Sequence, residues 1–225
     1  MDNELLPKTL IADDHGLFRT GLSLLLKDRL GAKEIIEVSD FDDAIDRLAS
    51  EPDIKLALFD LSMPGMSGPE SLVAVKETYP DVRIAVVSAS DDRDHVLAAI
   101  LIGLHGYIPK SLPEEEIVRA LQQICAGRVY VPPLKIASAG QPNRTGSDAE
   151  PNGPAPAAVE FSIDDLTPRQ RDVVRCILRG RSNKEIAREL DIAEGTVKVH
   201  LGVLFAKFAA RNRTELATLV RTLSA

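Results

Sequence analysis

Five short apolar runs, Thr9–Ala12, Glu34–Val38, Leu56–Phe59, Arg83–Val87 and Gly106–Ile108, alternate with helical patterns over the first 131 residues. Phe18, Leu22, Leu25 and Leu26 recur after the first run at helical spacing. Val96, Leu97, Ile100 and Leu101 do so after the fourth, and Ile117, Val118, Leu121 and Ile124 after the fifth. Runs this short and this apolar are strands buried on both faces, which is the situation of a parallel sheet. Parallel neighbours need right-handed crossovers, so the pattern predicts an α/β, doubly wound (βα)5 sheet with helices on both faces. Ser67-Gly-Pro-Glu70 and Ser111-Leu-Pro-Glu114 have capping-box spacing and predict helix starts there.

In such a sheet ligands bind at the carboxyl ends of the strands. The third run sits in KLALFDLSMPGMSG and ends on Asp60, with Pro64, Gly65 and Gly68 close behind. An Asp beside Pro and Gly commonly starts a turn, so the residues at the other strand ends decide. Asp13 and Asp14 follow the first strand, Ser88 ends the fourth, and Lys110 follows the fifth. Three carboxylates at one edge raise each other's pKa unless a cation sits among them. An all-oxygen set with room for waters suits Mg²⁺. A metal, a carboxylate nucleophile, a hydroxyl and an ammonium together can hold a phosphoryl group, whose transfer needs mainly positioning and charge neutralisation. His15, His95 and His105 share no metal-ligand spacing, and each has an ordinary helix-start, surface or strand explanation.

The length of 225 residues suits two compact domains. The net charge of −7 is unevenly spread: −10 over 1–131, −1 over 132–162 and +4 over 163–225. An acidic first part and a basic last part point to different partners, the second a polyanion. Cys125 and Cys176 lack disulfide-framework or zinc spacing and suit a reducing compartment. There is neither a signal-peptide pattern nor an eighteen-residue apolar stretch, so a cytoplasmic protein without membrane contact is expected.

From 132 to 162, Pro132, Pro133, Pro142, Pro151, Pro154 and Pro156 stand among Gly, Ala, Asn and Ser. Few large apolar residues occur there, and a flexible linker is expected. Beyond it everything reads as helix. Thr167-Pro-Arg-Gln170 is a capping box with Pro at the first helical position, and Ser182-Asn-Lys-Glu185 is a second box. A third helix begins near Ala193 and carries Val197, Leu201, Leu204 and Phe205; a fourth opens at Asn212. Two helices joined by a tight turn, the second with Lys198 and His200 expected to be exposed, form a helix-turn-helix in an all-α four-helix domain. A small helical docking bundle would have the same pattern.

Asp13, Asp14, Asp60, Met63-Pro64-Gly65, Ser88-Ala89, Tyr107 and Pro109-Lys110 together resemble the receiver domain of bacterial two-component response regulators, over about residues 7–127. The resemblance implies a flavodoxin-like fold in which Asp60 takes a phosphoryl group from a sensor histidine kinase. It implies Mg²⁺ held by Asp14, Asp60 and the backbone carbonyl of Ser62, and by Asp13 through water. Lys110 would pair with the phosphoryl oxygens, Ser88 would move onto them, and Tyr107 would turn inward as a switch residue. The segment 163–225 resembles the LuxR-type (FixJ- or NarL-type) DNA-binding domain. The residues carrying this are Leu166-Thr-Pro-Arg169, Gly180, Ser182-Asn-Lys-Glu-Ile-Ala187, Leu190, Thr196-Val-Lys-Val-His200, Lys207 and Arg211-Asn-Arg-Thr214. By that resemblance the third helix enters the major groove of promoter DNA. Lys198 and Val199 would meet base edges, and Asn183, Thr196, His200 and Lys207 the backbone. A homodimer when phosphorylated or DNA-bound is implied, with RNA polymerase as a further partner.

Three residues depart from the second pattern: Gln170 stands where Glu is usual, Ala193 where a Ser cap is common, and Gly202 where relatives often have a polar side chain facing the groove. The expected function is phosphorylation-controlled DNA binding, with no catalysis beyond the chain's own phosphorylation and dephosphorylation. Two other readings stay open: a LuxR-type regulator governed by a ligand or partner without phosphate, and an aspartyl-phosphate phosphohydrolase. The second lacks a general acid close after the nucleophile, where Ser62 and Met63 stand.

Overall fold

A computed structural model describes residues 7–133 and 166–223. Residues 134–162 of the expected linker, and 163–165 of the segment after it, lie outside the described residues. Strands β1 (Thr9–Ala12), β2 (Ile35–Val38), β3 (Leu56–Phe59), β4 (Arg83–Ser88) and β5 (Gly106–Pro109) make one parallel sheet in the order β2-β1-β3-β4-β5. Helices α1 (Gly16–Leu30), α2 (Phe41–Ser50), α3 (Val73–Thr78), α4 (Arg93–Leu101) and α5 (Glu114–Cys125) connect the strands and follow the last one. Alternate strand residues feed two cores. Leu10, Phe59, Val86 and Tyr107 pack with Phe41, Ile45, Leu72 and Val96 from the α2, α3 and α4 side. Ile11, Leu58, Val87 and Ile108 pack with Leu22 and Leu26 of α1 and with Leu121 and Ile124 of α5. The strand order reverses between β1 and β3, so the crevice expected of a doubly wound sheet opens between the ends that carry Asp13 and Asp60.

The two expected capping boxes of this unit are not made. Pro69–Leu72 is a 3-10 turn ahead of α3, capped by Gly68 without a side-chain bond, and Pro113 stands at the cap of α5. The cause is common to both: a residue before proline is pushed out of helical geometry. Gly68 and Leu112, which would have to be helical after a Ser67 or Ser111 cap, both precede one. At Thr167 the proline comes directly after the cap instead, which is compatible with an extended cap residue, and the box forms.

The second unit contains α6 (Pro168–Leu178), α7 (Asn183–Leu190), α8 (Glu194–Lys207) and α9 (Arg213–Leu223). Val173, Ile177, Ile186, Val197, Leu204 and Leu216 form its core. Ser182 and Glu185 complete the second capping box, and Ala193 caps α8 without a side-chain bond.

Candidate functional site

At the sheet's carboxyl edge Asp13 and Asp60 are almost wholly buried. Lys110 Nζ stands 2.7 Å from Asp13 Oδ2 and 3.0 Å from Asp60 Oδ2, and lies 4.7 Å from the centre of the Phe18 ring. Two buried carboxylates thus share one ammonium, whose other side meets an aromatic face. The Asp60 backbone is tied to β1 by its N–H to the Ala12 carbonyl at 2.8 Å, and Lys110 to β4 by its N–H to the Ser88 carbonyl at 2.7 Å. Ser62 N–H donates to Asp60 Oδ1 at 3.3 Å, which folds the following loop back over the acid.

Carboxylate oxygens of Asp13, Asp14 and Asp60 and a ring nitrogen of His15 all lie within 4.8 Å of one another. The oxygen donors fit the hard, oxygen-preferring Mg²⁺ that receiver domains bind. His15 belongs to this pocket, with Nδ1 2.8 Å from Asp14 Oδ1. Sequence reasoning set His15 aside because it shares no metal-ligand spacing, and read Phe18 only as an apolar position of the helix; both reach the pocket from the start of α1.

Ser88 is fully buried, and its Oγ accepts from Ser90 N–H at 3.2 Å. Tyr107 already lies inside the protein, with its hydroxyl donating to the Ser90 carbonyl at 2.8 Å. Burial pushes its phenol upward, against the pull of Ser88 and Ser90. The inward position expected of the switch residue is the one the ring holds.

The third helix of the second unit, α8, packs on the Pro69–Leu72 turn, α3 and α2 of the first. Val199 and Val203 belong to the same buried cluster as Phe41, Leu72 and Val75. A Cβ on Gly202 would collide with Ala74 Cβ, so the backbones approach through the missing side chain. Gly202 thus admits α3, a role the sequence alone does not disclose. Thr196 and His200 are wholly buried as well, Thr196 beside Tyr79 and His200 with Nδ1 3.6 Å from Asp42 Oδ1. Thr167 Oγ1 donates to Asp42 Oδ2 at 2.6 Å, and Gln170 Nε2 donates to the Gly65 carbonyl at 3.0 Å. Burial pushes the Asp42 carboxyl up to about 6 despite the Thr167 bond. Burial, and then Arg169, push His200 down to about 4.

Of the six residues expected at DNA, Lys198 is exposed and Asn183 half-buried, accepting from Arg213 Nη1 at 3.2 Å. Thr196, Val199, His200 and Lys207 are buried. No described helix is long and apolar enough to cross a membrane.

Residues 9–122 match the response regulator receiver domain, and residues 164–220 match the bacterial regulatory proteins of the luxR family. The chain is a two-component response regulator that belongs to the receiver family and carries a LuxR-type DNA-binding domain. It is 38% identical to the glycerol metabolism activator of Pseudomonas putida, over 92% of each chain. It is 34% identical to the nitrate/nitrite response regulator protein NarL of Escherichia coli strain K12, over 98% of this chain and 97% of that one. A LuxR family DNA-binding response regulator from Silicibacter pomeroyi, 27% identical, superposes with a TM-score of 0.51 over 57% of this chain and 98% of its own. As a response regulator the protein controls transcription, with a histidine kinase upstream and promoter DNA downstream.

Proposed function

We propose that Asp60 is the phosphoacceptor and that its phosphorylation releases α8 from the first domain to bind DNA. The observation that carries this is the docking of α8: Val199, Val203 and Gly202 pack on the domain that holds Asp60, so the groove-entering face is covered by the partner that senses phosphate. The domains run 7–127 and 163–225, joined by 132–162.

In the transfer an Asp60 carboxylate oxygen attacks the phosphorus of a phosphohistidine, and the nitrogen–phosphorus bond breaks toward the kinase imidazole. Lys110, already between Asp13 and Asp60, is placed to receive the equatorial oxygens. Asp14, Asp60 and the Ser62 carbonyl would hold Mg²⁺, with Asp13 acting through water, and the ion supplies further neutralisation of phosphoryl charge. Ser88 turns from Ser90 N–H toward the phosphate. Tyr107, inside the protein and bonded to the Ser90 carbonyl, ties its ring to the loop that follows Ser88. The new group brings roughly two negative charges and three acceptor oxygens, enough to bias a two-state docking equilibrium. Once free, Lys198 and Val199 face base edges, and Asn183, Thr196, His200 and Lys207 face the backbone. A homodimer then occupies two half-sites, within reach of RNA polymerase. The chain works in the cytoplasm and turns over no substrate but its own phosphoaspartate.

The test is intact mass after incubation with acetyl phosphate and Mg²⁺, beside Asp60→Asn, followed by DNA binding of both. One phosphoryl group on the wild type alone, with tighter DNA binding, is expected. Equal DNA occupancy with and without the adduct would refute the coupling.

A further inference from the structure

The loop that follows Asp60 has one end on the phosphoacceptor and the other on the DNA-binding domain. At the near end Ser62 N–H holds Asp60 Oδ1. Further on, the Pro64 carbonyl accepts from Phe41 N–H at 3.1 Å. Gly65 is wedged so closely that a Cβ there would come 2.9 Å from Phe41 Cβ and 3.3 Å from Thr167 Cγ2. Its carbonyl takes the Gln170 Nε2 proton at 3.0 Å, in a contact without exposed surface on Gln170. Four residues therefore separate the Asp60 carboxylate from Gly65 and its buried hydrogen bond across the domain seam.

Gln170 uses its two polar atoms in opposite directions. Oε1 accepts from Thr167 N–H at 3.3 Å, completing the capping box of α6, and lies 3.5 Å from Lys207 Nζ. Nε2 serves the first domain alone. A carboxylate at this position would keep the capping bond and the lysine contact but could donate nothing to Gly65, and would set a negative oxygen against a carbonyl in a buried place.

We propose that the side-chain amide of Gln170 is the latch by which the phosphoacceptor loop holds or releases the DNA-binding domain. This rests on the reading that the docked arrangement is the unphosphorylated one. Movement of residues 61–65 toward a phosphoryl group on Asp60 draws the Gly65 carbonyl off the amide. Linkage makes the effect reciprocal: whatever factor phosphoryl occupancy contributes to undocking, undocking returns to phosphoryl occupancy.

The test uses the full chain with Val203→Cys as a reporter, since Val203 is buried against the first domain. The rate of thiol alkylation at that site, read by peptide mass, is compared in wild-type, Gln170→Glu and Gln170→Met backgrounds without phosphate. Beryllofluoride with Mg²⁺, a phosphoryl mimic, is titrated into each. Glu preserves the α6 cap, and Met preserves side-chain length without charge, so an unchanged melting temperature of the DNA-binding domain separates unlatching from unfolding. Alkylation faster by roughly fivefold or more in both variants, with beryllofluoride acting at correspondingly lower concentration, is expected. Rates equal to wild type in both would overturn the latch. If beryllofluoride leaves labelling unchanged in every background yet both variants label faster, the latch stands and the phosphoacceptor assignment falls.

Discussion

Gly202 of α8 and Ala74 of α3 meet so closely that a Cβ on the glycine would collide with that of the alanine. Ala74 Cβ is fixed to its backbone, so the α3 backbone, not one mobile side chain, would have to move. The glycine that looks like a missing base contact is what lets the receiver cover the helix.

Gly202→Ala should therefore undock the domains while strengthening α8 itself. Alanine gains about 1 kcal/mol of helix propensity over glycine, whereas overpacking of a close contact costs about 1–3 kcal/mol. The expected outcome is a shift toward undocking by roughly tenfold, with an isolated 163–225 fragment more stable than before. DNA-binding titrations of the unphosphorylated full chain, set against melting of the fragment, check this.

Lys110→Met removes the shared cation from Asp13 and Asp60 and leaves two buried carboxylates facing each other. Receiver stability should fall by about 3 kcal/mol. Mg²⁺ should recover part of the loss, and by more than it stabilises the wild type, because it replaces the missing charge. Thermal melting with and without Mg²⁺ is the check. Phosphorylation by acetyl phosphate should slow by about a hundredfold, as expected when one donor to developing charge is removed.

Asp42 and His200 give the seam a concealed pH response. Docked, the acid is raised to about 6 and the imidazole lowered to about 4; apart, with the burial relieved, both move back toward their ordinary values of 3.8 and 6.5. Between those limits the docked pair carries its proton on Asp42 and the separated pair on His200. The proton count does not change, and docking in the wild type is nearly flat with pH. Each single variant exposes one slope. In Asp42→Asn only the depressed imidazole remains, so docking is strongest above 6.5 and is lost progressively as pH falls toward 4. In His200→Asn only the raised carboxyl remains, and docking strengthens as pH falls through about 6. Alkylation of the Val203→Cys reporter in the two backgrounds from about pH 7.5 to 4.5, divided at each pH by the rate of an exposed model thiol, should give opposite trends.

The sheet was legible because its signals are local. Each strand is a contiguous apolar run, and the acids, Ser88 and Lys110 follow from counting strand ends. Strand bounds shift by at most a residue, as when β4 and β5 extend to Ser88 and Pro109. The two unmade capping boxes were misread because spacing was taken without the proline effect on the residue before it. His15 and Phe18 reach the pocket by side-chain direction from α1, which no spacing records. The seam was hidden for a deeper reason. Val199, Val203 and Gly202 look alike whether they wait for a DNA groove or for α3, because the partner that buries them lies more than a hundred residues away in the chain. Gln170 was visible as a departure from Glu, but the acceptor that gives the amide its use, Gly65, was not.

The central claim is that phosphorylation at Asp60 uncovers α8. Its most direct test is alkylation of Val203→Cys in the full chain before and after stoichiometric phosphorylation by acetyl phosphate and Mg²⁺, with Asp60→Asn alongside. The account expects slow labelling that accelerates roughly tenfold or more on phosphorylation and is unaltered in the Asp60→Asn chain. Labelling that stays equally slow in fully phosphorylated protein would contradict it.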